Sequence, residues 1–211
     1  METVVTTLKN ISRALAKIPD DDRNRDFKYV YVKNGVANIC DRKFAMRFQV
    51  NAPDGRYNIN YMGELTPAYY DVTIGSYMPF DLDLVRPPFE QMQPFCRFHP
   101  EVLAGFYPII QEASNRGETI YIEKKGMGLK RTGEIFCEFP FNTPHIIEVN
   151  PLYLHLAFTD SRRYDMIEMY QEIRPDDEEE PKTPLVIGYG WNNCSIIMPI
   201  VDTYRKHYTR D

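Results

Sequence analysis

The stretch HIIEVNPLYLHLAF, residues 145–158, decides how the chain is read. Residues 145–149 are mostly β-branched or apolar and predict a short strand. Asn150 suits a helix cap. Pro151 suits the first helical turn, where its preset φ helps and its missing N–H is not needed. A helix over 151–158 follows, with Leu152, Tyr153 and Leu156 turned inward. Fifty-one residues earlier, Phe98-His99-Pro100-Glu101-Val102-Leu103 shows the same order of strand, cap, proline and helix. A fixed period near 50 points to repeated supersecondary units, each too small to bury its apolar face alone.

Working outward, the helix after His99-Pro100 carries Leu103, Phe106, Ile110 and Ala113 on one stripe and stops at Gly117. Pro108 is expected to kink or shorten it. Strands follow over 119–124 and 129–141, with a turn at Gly126 and Gly128. In the third unit, strands are expected over 166–173, 185–188 and 194–201. The N-terminal region gives a first unit without a leading strand. A helix over 7–18 has Leu8, Ile11, Leu15 and Ile18 as its stripe, Thr6 or Thr7 as cap and Pro19 as stop. A meander comes next, with turns at Asn34-Gly35 and Asp54-Gly55. Proline and glycine are frequent over 63–97, which reads as an extended but ordered connector. The division is therefore 1–75 as a first half-unit, 76–97 as ordered linker and 98–211 as a domain of two half-units. The fold class is α+β, built from repeated β-α-β-β-β half-units, about three per chain.

Composition sets limits on function. The chain has 211 residues, 43% hydrophobic and 26% charged, which is globular rather than disordered. Net charge is −5, against a uniformly basic nucleic-acid coat. The charge is uneven: residues 1–50 hold ten Lys/Arg against six Asp/Glu, so the remainder carries −9. Cys40, Cys96, Cys137 and Cys194 are scattered singly, without the paired spacing of a zinc site. No membrane-spanning run and no signal-peptide pattern is visible, and a reducing cytoplasm is expected, that of the host if the gene is a phage's.

Motifs for catalysis do not emerge. There is no Walker loop, GxSxG or GxGxxG, and the four histidines lack metal-ligand spacing. No cofactor and no catalytic residue is expected. Asp20-Asp21-Asp22 and Asp81/Asp83 read as solvated loop carboxylates. The strongest lead is the row Lys9, Arg13, Lys17, spaced i, i+4, i+8 on one helix face, suited to sequence-independent phosphate contacts. Smaller basic clusters lie at Arg42/Lys43/Arg47, Lys124/Lys125/Lys130/Arg131 and Arg162/Arg163.

Three stretches resemble the DNA polymerase III β subunit, the sliding-clamp family of bacteria and phages. GVANICDRKFAMRF within residues 31–48 is similar to the family's middle-domain pattern G-x-x-V-A-T-D-G-H-R-L-A, although Asp41-Arg42-Lys43-Phe44 lacks its Gly-His. VRPPFEQMQPF, residues 85–95, is similar to the interdomain segment. IIEVNPLYLHLAF with PLVIGYGWNNCSIIMPI, residues 146–158 and 184–200, is similar to the closing unit. The resemblance implies a shortened clamp homologue: a ring of sheets outside and helices inside, made of twelve half-units, with duplex DNA in the pore. On that model DNA meets Lys9, Arg13, Lys17, Arg162 and Arg163. A polymerase docks through a short linear peptide at Phe44, Ala45, Met198, Pro199 and Ile200. The implied function is a non-enzymatic processivity factor that forms a homo-oligomeric ring by pairing strands at the chain ends. The alternative is a clamp-derived module that does not encircle DNA and regulates or inhibits a host clamp or its partners.

Overall fold

The computed structural model describes residues 2–16, 28–41, 43–68, 82–140, 143, 146–161, 165–173, 183–190 and 193–200. Helix α1 (Glu2–Leu15) buries Leu8, Ile11 and Leu15, as its spacing predicts, together with Thr7 and Ala14. It starts a turn earlier than expected, so Thr7 is no cap but lies fully buried inside the helix. Packing overrides threonine's preference for helix ends.

A meander follows: β1 (Val30–Lys33), β2 (Val36–Cys40) and β3 (Phe44–Gln49). Asn34 and Gly35 join β1 to β2 with φ of 52° and 71°, the paired left-handed conformation that matches strand twist. The Asn34 N–H donates to Asp54 Oδ1 at 2.6 Å, which ties this turn to the next strand. That strand, β4 (Gly55–Ile59), pairs with β1 on the side away from β2, and β5 (Leu65–Pro67) pairs outside it.

The second unit runs β6 (Met92–Phe98), α2 (Leu103–Arg116), β7 (Ile120–Glu123), β8 (Gly126–Leu129) and β9 (Ile135–Glu138). Strand β6 occupies the end of the span read as linker, so the boundary at 97/98 falls inside a strand. A 3-10 turn, Pro100–Val102, precedes α2. Leu103, Phe106, Ile110 and Ala113 are all buried, and Gly117 ends the helix at φ 66°. The helix runs through Pro108, which is exposed. Gly126 and Gly128 are not a turn; both lie within β8. A Cβ on Gly128 would fall 2.3 Å from Tyr121 Oη, and one on Gly126 would fall 2.3 Å from the Cys137 carbonyl oxygen. Close approach explains these glycines.

The third unit runs β10 (Ile147–Val149), α3 (Pro151–Ser161), β11 (Ile167–Glu172), β12 (Leu185–Gly190) and β13 (Asn193–Ile197). Its helix differs from the sequence expectation. Leu152 is only half-buried, while Tyr153, Leu154, Leu156, Ala157 and Phe158 are buried. A helix apolar on most sides must be covered on most sides, and α3 packs against both α2 and α1. Phe158 meets Phe98 and Phe106 edge-on, with ring centroids 6.1 and 6.0 Å away.

The leading strands are exchanged. Strand β6 of the second unit pairs with β11 of the third, and β10 of the third pairs with β7 of the second. The same strand order therefore appears three times: β4-β1-β2-β3, β6-β11-β12-β13 and β10-β7-β8-β9. In the first unit β4 fills the slot that an exchanged leading strand fills in the other two. Pairing of β3 with β13 joins the first and third units into a nine-stranded sheet, and the second unit's sheet stands apart with four strands. This is an α+β architecture of three half-units.

Candidate nucleic-acid and peptide interfaces

Helices α1, α2 and α3 pack on one another and against strands of both sheets, which leaves a helical side and an outer sheet side. On the helical face, α1 presents Arg13 exposed and Lys9 half-buried, one turn apart. Ser12 Oγ donates to the Lys9 carbonyl at 2.9 Å. Lys17, Arg162 and Arg163 lie outside the described residues, as does the triplet Asp20-Asp21-Asp22. Helices α2 and α3 add little charge. Among their described residues the one Lys or Arg is Arg116, which pairs with Glu112 at 2.5 Å.

In the basic cluster after β7 two members are ion-paired, while Lys124 and Lys125 stay exposed. Lys130 Nζ pairs with Glu148 at 2.7 Å, and Arg131 with Glu118 at 3.5 Å. With Arg116, Gly117 and Thr119 they line an open cleft of about 620 Å³. Arg47, grouped by sequence with Arg42 and Lys43, is not a surface base. Its side chain is 6% exposed, donates to Asn38 Oδ1 at 3.0 Å and pairs with Asp83 Oδ2 at 3.0 Å. Asp83 also binds Arg86 at 2.8 Å. These charges pin the 3-10 turn Leu82–Leu84 onto the outer face of the nine-stranded sheet. There Leu82, fully buried, joins Ala45, Met92, Tyr170, Val186, Cys194 and Ile196 in a second apolar cluster. Burial pushes the Cys194 thiol up to about 12.

The residues expected to hold a partner peptide divide between faces. Phe44 and Ala45 are neighbours on β3, so their side chains point to opposite sides. Phe44 stacks on Tyr153 of α3 at 5.2 Å on the helical side, and Ala45 enters the outer cluster. They do not line one pocket. Past β13, Met198 donates its N–H to the Lys43 carbonyl at 2.8 Å and is 37% exposed. Ile200, 43% exposed, donates to the Glu148 carbonyl at 2.7 Å. The segment Met198-Pro199-Ile200 thus runs from β3 to the outer edge of β10, with two apolar side chains toward solvent.

Asp41 organises the loop beside this segment. Its Oδ1 accepts from the Lys43 and Phe44 N–H groups at 3.0 and 2.7 Å. Its Oδ2 accepts from Tyr153 Oη at 2.6 Å. Burial, then the adjoining carboxylate, hold the Tyr153 hydroxyl well above its usual range. Sequence reasoning named Asp41 only inside a motif and missed its bond to α3. An Asx cap over Lys43-Phe44 was readable from the local pattern; a partner 112 residues away was not.

No protein-family model and no curated protein matches the sequence. Solved structures do match in fold. The DNA polymerase sliding clamp from Caulobacter crescentus superposes with a TM-score of 0.54 at 11% identity, over 92% of this chain and 63% of the clamp chain. A second structure of the Caulobacter clamp, with polyethylene glycol bound, gives 0.51 at 11% identity, over 94% and 64%. The DNA polymerase III subunit β from Borrelia burgdorferi gives 0.51 at 12% identity, over 94% and 62%. The fold is therefore that of the sliding clamps. The chain spans somewhat less than two thirds of the length of these clamp chains.

Proposed function

We propose that this protein is a non-enzymatic clamp-type processivity factor, one that surrounds duplex DNA as part of a homo-oligomeric assembly and tethers a polymerase. The observation that supports this reading most is the thrice-repeated half-unit, with a helical side and an outer sheet side. Such a wall can curve around a duplex and touch phosphates without reading bases. Lys9 and Arg13 on the helical face are the proposed phosphate contacts, with Lys17, Arg162 and Arg163 as further ones. Met198, Pro199 and Ile200 are the proposed anchor points for a short apolar peptide of the polymerase, with Phe44 and Ala45 supplying the strand beside them. The setting is the cytoplasm, and that of a host if the gene is a phage's. No helix among the described residues is long and apolar enough to cross a membrane.

A second reading is favoured by one observation: α2 and α3 offer no free row of basic residues. On this reading the chain binds clamp partners without encircling DNA and acts as a regulator or inhibitor. The double variant Lys9→Glu/Arg13→Glu separates the two. A DNA-encircling protein loses duplex affinity at least tenfold at low salt, and its salt dependence flattens by about two phosphate contacts. Unchanged binding removes Lys9 and Arg13 from the proposed phosphate contacts, whereas absence of duplex binding in the unaltered chain sinks the processivity reading and leaves the non-encircling one.

A further inference from the structure

The cleft at the end of α2 has walls fixed by backbone hydrogen bonds. The Glu118 N–H donates to the Ala113 carbonyl at 2.9 Å, and the Lys130 N–H donates to the Thr119 carbonyl at 3.0 Å. Gly117 turns the chain at φ 66° and leaves the wall open beside it, since a Cβ there would meet nothing within 4 Å. The volume, about 620 Å³, is in the range of small-molecule sites. Among the lining residues Arg116, Lys130 and Arg131 are three cations, and Glu118 is the one carboxylate.

The Glu118 side chain is 9% exposed, and among the described residues no donor hydrogen-bonds its buried Oε1. Arg131 Nε stands 3.5 Å away, an ion pair without hydrogen-bond geometry. A buried charged oxygen lacking a donor is costly, so this carboxylate is set to receive one. Arg131 is 68% exposed, and an exposed pair of this kind contributes little and exchanges readily. The C-terminal end of α2 adds negative potential on the same side of the cleft. The floor therefore suits N–H groups, and the rim suits an anion. Arg116 and Lys130 are each bound to one carboxylate, at 2.5 and 2.7 Å. An arginine has five N–H donors and a lysine three, so both keep donors for a further anion.

We propose that this cleft binds a guanine nucleotide, its base on Glu118 and its phosphate among Arg116, Lys130 and Arg131. Guanine carries two adjacent donors on one edge, the ring N1–H and the 2-amino group, and the two oxygens of a carboxylate match them. Adenine and cytosine set a ring-nitrogen acceptor beside their amino group, which a carboxylate repels. Uracil and thymine flank their single N–H with carbonyls. On binding, the base takes the place of Arg131 at Glu118. The released guanidinium then meets the phosphate or stacks on the base. Guanine with a phosphate is presented both by a free nucleotide and by the unpaired end of a strand. Neither duplex DNA nor a polymerase enters this argument, so it does not depend on the clamp reading.

Fluorescence titration of the full chain with mant-GDP, competed with unlabelled nucleotides, tests the proposal. GMP is expected to compete. Inosine monophosphate keeps the N1–H and lacks the 2-amino group, so it should compete about tenfold more weakly, the loss of one hydrogen bond to a charged group. AMP should not compete. Glu118→Gln sets an amide donor against the base; it should weaken GMP about tenfold or more and remove its advantage over inosine monophosphate. Lys130→Ala should weaken both nucleotides alike and flatten their salt dependence. Should Glu118→Gln misfold, the order GMP, inosine monophosphate, AMP on the unaltered chain still decides the matter. A 5′-phosphorylated single strand ending in guanine that competes better than GMP places the ligand at a strand end, and the reverse order places it in the free nucleotide. Equal competition by GMP and AMP overturns the proposal, as does absence of binding at millimolar nucleotide. Because these outcomes are read without duplex DNA, loss of duplex binding in Lys9→Glu/Arg13→Glu leaves them untouched.

Discussion

Units two and three are interlocked, and unit one is attached along a seam. In the interlocked pair each sheet contains a strand from the other's half of the chain, and three phenylalanines close the centre. At the seam the joints are β3 against β13, α1 against α3, and the Asp41–Tyr153–Phe44 contact. The first arrangement cannot be taken apart without unpairing strands in both sheets. The second can open while both parts keep their own strand order. A fold can thus hold one topology with two different degrees of independence.

The comparison can be tested from its stronger side down. Phe158→Ala empties the place where Phe98, Phe106 and α3 meet, and large-to-small changes of this kind cost about 3–5 kcal/mol. Urea unfolding should show that loss with β7–β9 and β11–β13 unfolding together; separate transitions would mean the exchange does not couple them. Asp41→Ala leaves two N–H groups and one hydroxyl without their acceptor, for which about 2 kcal/mol is expected. Hydrogen exchange should quicken in β1–β4 and stay unchanged in β7–β9. An equal change in both would erase the seam as a distinct boundary. Met198→Ala, on a 37% exposed side chain, should move stability by less than about 0.5 kcal/mol. It should nevertheless weaken a fluorescent polymerase-tail peptide several-fold. Unaltered peptide binding removes Met198 from the proposed anchor.

What the sequence disclosed depended on whether the signal was local. The period between Pro100 and Pro151, the Asn34-Gly35 turn and the stripe of α2 were all legible because each is set by residues within a turn or two. The exchange of β6 and β10 was not, because which sheet a strand joins depends on residues far along the chain. The same holds for β4, whose run resembles any meander strand yet stands in a leading-strand slot. Gly126 and Gly128 misled because a glycine needed for close packing and one needed for a turn look alike in a sequence. For the candidate sites, the basic row on α1 could be read from spacing. That Arg47 is buried and that Phe44 and Ala45 face apart could not be assigned without knowing which face of β3 each layer covers.

Pairing β3 with β13 also has a consequence for synthesis. Arg47 leaves the ribosome roughly 150 residues before Cys194, the residue it will sit beside. At elongation rates of about 5–20 residues per second that interval is on the order of ten seconds. Throughout it, the edge of β3, flanked by the apolar Phe44, Met46 and Phe48, has no neighbour on one side. The nascent chain must therefore shelter an open strand until its last described strand arrives, and the time of greatest aggregation risk falls before the molecule is complete.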